Sequence, residues 1–440
     1  VTAGFLGSVK ELRHDLLGAF VAARRTYGDV VRFRLGPPVV GTEIHALFHP
    51  DGAQQVFGTE WQNYRKDTRF YQEIREISGN GMLMSQDEDW LRQKRFLQPL
   101  FTVRRVNGYG EAMADEAARL VSELREREES IFDVYSEITR LTLRMVVRVL
   151  FGADAEIALP VVRRTFPELG EAGVARALSP VNVPLSWPTP NNRRLRRAQG
   201  TLFAACDEII ARRRTAQDQE DDFLGMLLAA RDGDDRLTDQ EVREQVLVFM
   251  LAGHETTATA LTMAFQLLGQ HLDVQERVRE EVAAVVVGDR APTADDVKTL
   301  TYTSMVAKEA MRLYPSAPVV GRRSTTPSEL CGRLVPAKAD IVVAPWVIHR
   351  HPEFWDSPEV FDPERFTPQR EKTRHRYAWM PFGGGPRACI GQHFAMLESV
   401  IILATLLRAF HFRAAAPDVP VDVQVAMRPK VPVLAEIKPI

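Results

Sequence analysis

Residues Phe382–Gly391 read FGGGPRACIG and run straight into Gln392–Phe410, a helical stretch that is apolar on more than one face. No other ten residues restrict so tightly what this chain can fold into. Gly383, Gly384, Gly385 and Gly391 allow a tight turn and a backbone that a flat ligand can approach with no Cβ in the way. Cys389 then falls at or just before a helix N-terminus, where unpaired N–H groups and the positive end of the dipole favour a thiolate over a thiol. Arg387, two residues earlier, can neutralise a carboxylate of that ligand. A phosphate cradle is the competing use of a Gly-rich turn before a helix, but the loop has no GxxxxGK[ST] and no βαβ setting surrounds it. Without these neighbours a lone cysteine is most often a small buried hydrophobe.

A second motif, Ala252–Thr257 (AGHETT), lies inside the helical pattern Glu244–His271, which is apolar nearly all round between Val246 and Leu251 and is therefore predicted to cross the interior. Ala252 and Thr256, four apart, share a face, and Glu255 sits one step around from Thr256. Gly253 in mid-helix costs about 1 kcal/mol relative to alanine, which points to close approach or local opening. Alone, Thr256 reads equally as a helix threonine back-bonded to the carbonyl four residues earlier. His254 and Glu255 do not begin a zinc HExxH, since the fifth position is Ala258, so His254 reads as structural or solvent-facing.

The decapeptide resembles the heme-binding signature of the cytochrome P450 superfamily at every fixed position, and AGHETT resembles that family's distal oxygen-activation motif. The similarity runs from Tyr27–Val31 (YGDVV) to the C-terminal apolar strands and is greatest to the subgroup of bacterial fatty-acid hydroxylases and microsomal enzymes. It implies a mainly α fold with small β-sheets, a single large domain (1–440) enclosing a buried heme b, iron protoporphyrin IX. Cys389 would be the fifth iron ligand, Phe382 would pack near its sulfur, and Arg387 would bind a heme propionate, with Gly391 closing the signature. A thiolate opposite bound dioxygen pushes electron density toward the O–O bond. Ala252 and Gly253 would line the heme, Thr256 would position water, and Glu255 would connect that water to bulk protons.

The same resemblance assigns roles to weaker motifs. Glu309 and Arg312, an ExxR followed by YPSAPVVGRR, would join Arg365 of PERF in a buried cluster that supports the cysteine loop and takes no part in catalysis. Other ExxR pairs in the chain lack that sequel. Arg322 would meet a propionate, against the plain alternative that Arg322 and Arg323 are a solvated pair. Trp90 and Lys94 resemble the family's WxxxR contact, but lysine stands where arginine is usual and offers only a point charge. Substrate would meet Phe249, Ala252, Ala317, Pro318 and Val319, with the segments Gly79–Met84 and Ser179–Pro190 over the pocket. These residues are apolar or small, so a hydrophobic substrate held by shape is expected, and each could equally be simple core.

Bulk properties set limits on the rest. A formal charge of −2 offers no global field for nucleic acid or an acidic surface. With three cysteines and no Cys-x-x-Cys, a zinc or redox dithiol is excluded and a reducing compartment fits. No linker or repeat divides the chain, and no run approaches the ~18–20 apolar residues of a bilayer span, so a soluble, cytoplasmic monomer is expected. The sequence opens on Val1, which leaves a leader or short anchor ahead of it open. Val30–Leu35 alternates as a strand and Gly36-Pro37-Pro38 stops it; Glu111–Arg127 and Leu202–Arg214 read as helices, and Ser179–Pro190 and Thr215–Asp222 as loops. With no flavin or ferredoxin module in view, electrons should come from a ferredoxin or flavodoxin with its reductase, docked on a basic face of Arg92, Lys94, Arg95, Lys372, Arg374 and Arg376. Dioxygen-dependent insertion of one oxygen atom, by hydroxylation or epoxidation, is the expected reaction. A peroxide-driven peroxygenase or heme isomerase, and a heme-binding sensor or carrier, are the alternatives.

Overall fold

VVRFRL does form a strand, because its alternate residues Val31 and Phe33 are buried against Phe20 and Phe48 while Arg32 faces solvent. In the computed structural model, which describes residues 8–36, 42–178, 183–215 and 222–440, the chain falls into two compact units. Pro37 and Pro38 lie outside the described residues.

The first unit comprises 1–68, 305–389 and 421–428. Its sheet uses β1 (Val30–Leu35), β2 (Thr42–Leu47), β3 (Tyr64–Arg65), β4 (Val320–Ser324) and β5 (Asp340–Val343) in the order β1-β2-β5-β4-β3. β1 and β2 pair antiparallel with Phe33 opposite Ile44, β2 and β5 run parallel, and β4 is antiparallel to both its neighbours. Strand alternation settles the fate of two adjacent arginines. Arg322 and Ser324 turn inward, whereas Arg323 turns out to a bidentate pair with Asp340 at 2.7 and 2.9 Å.

The second unit comprises 69–304, 390–420 and 429–440 and is built of helices: α1 (Asp87–Leu97), α2 (Gly110–Arg125), α3 (Val134–Phe151), α4 (Asp239–Gln270), α5 (Leu272–Val285) and α6 (Gln392–Ala409) among others. α4 packs along α3, and α6 is surrounded by α2, α4 and α5. α4 starts five residues before the apolar pattern does, because Thr238 and Glu241 form a capping box in a polar first turn that carries no hydrophobic period. Similarly, the helix expected at Leu202–Arg214 begins at Pro190, its first turns being polar. Thr215 ends that helix and Asp222 caps the next, and 216–221 lie outside the described residues. α6 stops where Phe410 enters a strand, Phe410–Ala414, of a small three-stranded sheet.

One expectation needs correcting. α4 and α6 are both long and apolar enough to cross a bilayer, but 67% of each apolar window is buried inside the protein. Their hydrophobicity serves a core, which is why it surrounds the helix and is interrupted by buried Gln245, Thr259 and Thr262.

Candidate functional site

The cysteine loop is held by its own backbone: Gly383 N–H donates to Met380 O at 3.0 Å, Cys389 N–H to Phe382 O at 2.8 Å, and Ala388 N–H to Gly385 O at 3.1 Å. Gly385 has φ +66°, and a Cβ there would stand 1.7 Å from the Phe57 carbonyl oxygen; one on Gly384 would stand 2.3 Å from the Tyr377 ring. Those two glycines thus make room for protein behind the loop, and not, as expected, for a flat ligand in front of it. Gly391 is the N-cap of α6, so Cys389 does lie just ahead of a helix start. Its side chain is exposed. Cys206, by contrast, is an ordinary core thiol whose pKa burial pushes up to about 12.

Beside Cys389 the first unit gathers three cations. Lys66 is buried, and its pKa is held well below the usual lysine range by burial and then by the positive charges of Arg387 and Arg322, while the Cys389 sulfur acts in the opposite direction. Arg322 is 4% exposed, with its guanidinium 4.8 Å above the Phe57 ring. The solvated-pair alternative for Arg322 therefore fails. Lys66 went unnoticed in the sequence, where YRKDTR is an unremarkable charged run; only the β3–β4 pairing, Arg65 opposite Arg323, carries it to Arg322.

Behind this loop sits the expected Glu309 cluster. Glu309 and Arg312 are both fully buried and pair through two bonds of 2.7 and 2.8 Å, and Arg365 approaches Glu309 at 3.4 Å. Arg312 also donates to the carbonyls of His349, Pro358 and Val360, so every charge is engaged. His349 connects the cluster to the loop. Its Nδ1 bonds the Arg312 carbonyl at 3.2 Å and its Nε2 accepts from Met380 N–H at 2.9 Å, which makes Nδ1–H the tautomer. Burial first, then Arg312, lowers the His349 pKa to about 3. Trp379 donates to the Lys308 carbonyl and meets Phe382 edge-on at 6.3 Å, which orients Phe382.

In the second unit, α4 carries the acid and the alcohol. Leu251, Ala252, Gly253, Glu255 and Thr256 are partly exposed in the middle of a helix that is buried on either side, so this stretch opens onto a space. Thr256 Oγ1 donates to the Ala252 carbonyl at 2.6 Å, the back-bond of a helix threonine to the residue four earlier. Gly253 is explained by close approach: a Cβ would meet Val146 of α3 at 3.0 Å, so its bare side faces α3 and does not line a cofactor. His254 is buried, bonded to the Met250 carbonyl and kept neutral by burial, which makes it structural. Trp90 is buried on α1, and Lys94 Nζ lies 5.1 Å from its ring, so the WxxxK pair acts together.

Two expectations change. The basic docking face is smaller than its sequence suggests, because Arg92 is paired with Asp235 and Glu241, Arg95 with Asp232, and Arg374 is stacked on Trp355 and Phe366. Lys372 and Arg376 stay exposed. Among the substrate candidates, Val319 packs against the Phe20/Phe33/Phe48 core, and Pro318 is buried with its carbonyl taken by Trp346 N–H, so both are core. Phe249 is half-buried in a cluster with Phe101 and Phe223 at 5.0 and 4.9 Å, and Ala317 is half-buried. Gly79–Met84 is fastened to α4 by Glu244 and Gln245. Of Ser179–Pro190, residues 179–182 lie outside the described residues, and Arg176 and Asn192 bind the carbonyls of Val183, Pro184 and Trp187. A third cluster, Asp29, His49 and His351, brings donors within 4.8 Å, but Arg24 already bonds Asp29 and His351 at 3.1 and 2.7 Å, which closes it to a cation.

An exposed cysteine beside three gathered cations, and an acid-alcohol pair on a buried helix, are what the sequence similarity can now be set against. The sequence pattern of the family described as Cytochrome P450 matches residues 3–434. The chain belongs to the cytochrome P450 family. "Cyclooctatin synthase" of Streptomyces melanosporofaciens is 35% identical over 398 residues, 90% of this chain and 85% of that protein. "Pentalenene oxygenase" of Streptomyces avermitilis is 34% identical over 391 residues, 88% and 85% of the two chains. The crystal structure of the cytochrome P450DA heme domain superposes with a TM-score of 0.90 at 25% identity, covering 100% of this chain and 97% of that one. This P450 is a heme-thiolate monooxygenase, its fold is that of the family, and its cofactor is heme b. The residues present fit that group: Arg322 and Arg387, with Lys66 within their electrostatic reach, are the groups that would answer the two propionates of a heme whose iron Cys389 would hold.

Proposed function

We propose that residues 1–440 act as one heme domain in which Cys389 is the iron ligand and a cyclic, terpene-like hydrocarbon is oxygenated. The observation that carries this is that buried Lys66 lies within electrostatic reach of Arg322, of Arg387 and of the Cys389 sulfur. When bound, the heme supplies dioxygen activation and oxygen-atom transfer. The chain's own groups do the rest. Arg387, Arg322 and Lys66 bind the propionates, and Trp90 and Lys94 add a contact from α1. Thr256 Oγ1 positions water, and Glu255 connects that water to bulk protons. The Glu309, Arg312, Arg365 and His349 network keeps the loop in one geometry without touching substrate.

The substrate reading rests on the names of the relatives, which point to pentalenene and cyclooctatin, and on the lining. In the second unit Phe249 and Ala252 offer a ring and a methyl group and no charge, which suits a rigid hydrocarbon held by shape. Electrons come from a ferredoxin or flavodoxin with its reductase; the protein works as a cytoplasmic monomer. The test has two stages. Reduced, carbon monoxide-bound wild type should give the thiolate heme spectrum and Cys389→Ser should lose it. Cyclic hydrocarbons should then shift the heme absorption and yield oxygenated products with a surrogate reductase. Retention of the thiolate spectrum in Cys389→Ser, or turnover with peroxide alone and none with the reductase, would overturn the reading.

A further inference from the structure

Residues 232–235 (DGDD), between the helix Phe223–Ala229 and α4, close on themselves as a tight turn. Asp232 N–H donates to the Asp235 carbonyl and Asp235 N–H to the Asp232 carbonyl, each at 3.1 Å, and Gly233 makes the bend at φ +62°. Two of the three carboxylates go to α1. Asp235 holds the Arg92 guanidinium through two bonds of 2.6 and 2.9 Å, and Asp232 takes Arg95 Nε at 2.6 Å. The third, Asp234, is exposed and makes no ion pair among the described residues. α1 and the turn both belong to the second unit.

These two pairs are unequal. Arg92 also donates to Glu241 at 2.5 Å and to the Arg236 carbonyl at 3.0 Å, so it stays anchored if one partner leaves, and it fixes the turn against α1. Arg95 pairs with Asp232 across open water, the two side chains being 58% and 43% exposed. An ion pair so exposed is screened by salt and gives way readily to a competing carboxylate. One turn back on the same face of α1, Leu91 is 45% exposed. A cation beside an uncovered apolar side chain suits a partner surface that sets carboxylates around an apolar spot.

We propose that the 232–235 turn is an internal competitor for the electron-donor protein: Asp232 occupies Arg95 in place of a carboxylate of an acidic ferredoxin, and docking of that ferredoxin on Leu91 and Arg95 displaces it. The proposal rests on the reading that electrons come from such a partner. At α1 the turn offers the chemistry that the partner offers, so a complex forms there by exchanging one carboxylate for another. The exchange leaves the number of ion pairs at Arg95 unchanged. This contact therefore contributes selectivity more than affinity: a protein with no carboxylate at that point leaves Arg95 with Asp232 and gains nothing. The complex that results is weak and quickly released, which suits a carrier that has to leave once its electron is delivered.

The experiment titrates an oxidised, acidic [2Fe–2S] ferredoxin into the heme-loaded protein by calorimetry at an ionic strength of about 20 mM, so that it reads binding and not turnover. Asp232→Asn and Asp234→Asn remove the same charge from the same turn, and the first alone uncovers an arginine. Asp232→Asn should tighten binding about two- to fivefold, and Asp234→Asn should do markedly less. Arg95→Gln is then made in both the wild-type and the Asp232→Asn background. It should change the wild-type affinity little and should cancel the gain in the Asp232→Asn protein, and that gain should fade at about 300 mM salt. Equal tightening by the two aspartate variants, or a gain that survives Arg95→Gln, would reduce the effect to the general field of the surface and overturn the proposal. Binding by wild type with no gain in Asp232→Asn sinks this inference alone. No binding by wild type or by any variant sinks the acidic-partner reading beneath it as well.

Discussion

A side chain in this protein acquires its role from the charges and donors placed around it. Lys66 would be an ordinary surface lysine were it not buried within reach of the charges of Arg322 and Arg387, where two more cations make an ammonium costly to keep charged. A carboxylate arriving at that place removes the cost. Lys66→Met should therefore hold heme about tenfold to a hundredfold less tightly, as ~1.5–3 kcal/mol for a charge-assisted bond implies, measured by heme transfer to an excess of apomyoglobin. Lys66→Arg should recover part of the loss. Thr256 differs in kind, because its proton is committed to the Ala252 carbonyl and the role proposed for it is to orient a water. Thr256→Ala should leave substrate-induced spectral shifts unchanged while product formed per electron consumed falls several-fold.

Elements act here by holding loops that cannot hold themselves. The cysteine loop has three internal backbone bonds and a buried buttress, and His349 is the piece that joins them. In the folded protein its pKa lies at about 3, below the ordinary histidine value of 6.5, so between those values the unfolded chain binds a proton that the native state refuses. The contribution of His349 to stability is fully present above pH 6.5 and is lost as pH falls toward 3, at up to about 1.4 kcal/mol per pH unit. His349→Gln, which can still accept from Met380, should show a shallower decline of the urea midpoint over that window. α4 makes the complementary point. A helix so apolar needs no periodic face, and among its polar residues Glu255 and Thr256 are partly exposed where Gln245, Thr259 and Thr262 are buried.

For the molecule as a whole, partner recognition follows from which surface charges remain uncommitted. Arg92 and Arg95 are neutralised by Asp235, Glu241 and Asp232, whereas Lys372 and Arg376 are exposed. Reversing Lys372 and Arg376 together should slow reduction by an acidic ferredoxin in a salt-sensitive way, and reversing Arg95 should have the smaller effect, both measured by stopped-flow reduction at two ionic strengths. The difference between these arginines was invisible in the chain, since Asp232 and Asp235 lie some 140 residues away from them. The linear order of residues determined what depends on local backbone and spacing: the loop that ends at Gly391, the helix through AGHETT, the first strand, and Glu309 with Arg312 one turn apart. Tertiary structure alone decided what depends on burial and on distant partners. It brought Lys66 to Arg322 across a strand pair, turned Gly253 toward Val146, and assigned Val319 to the core. A pattern can specify a turn or a helix, but desolvation is a property of the whole packed interior.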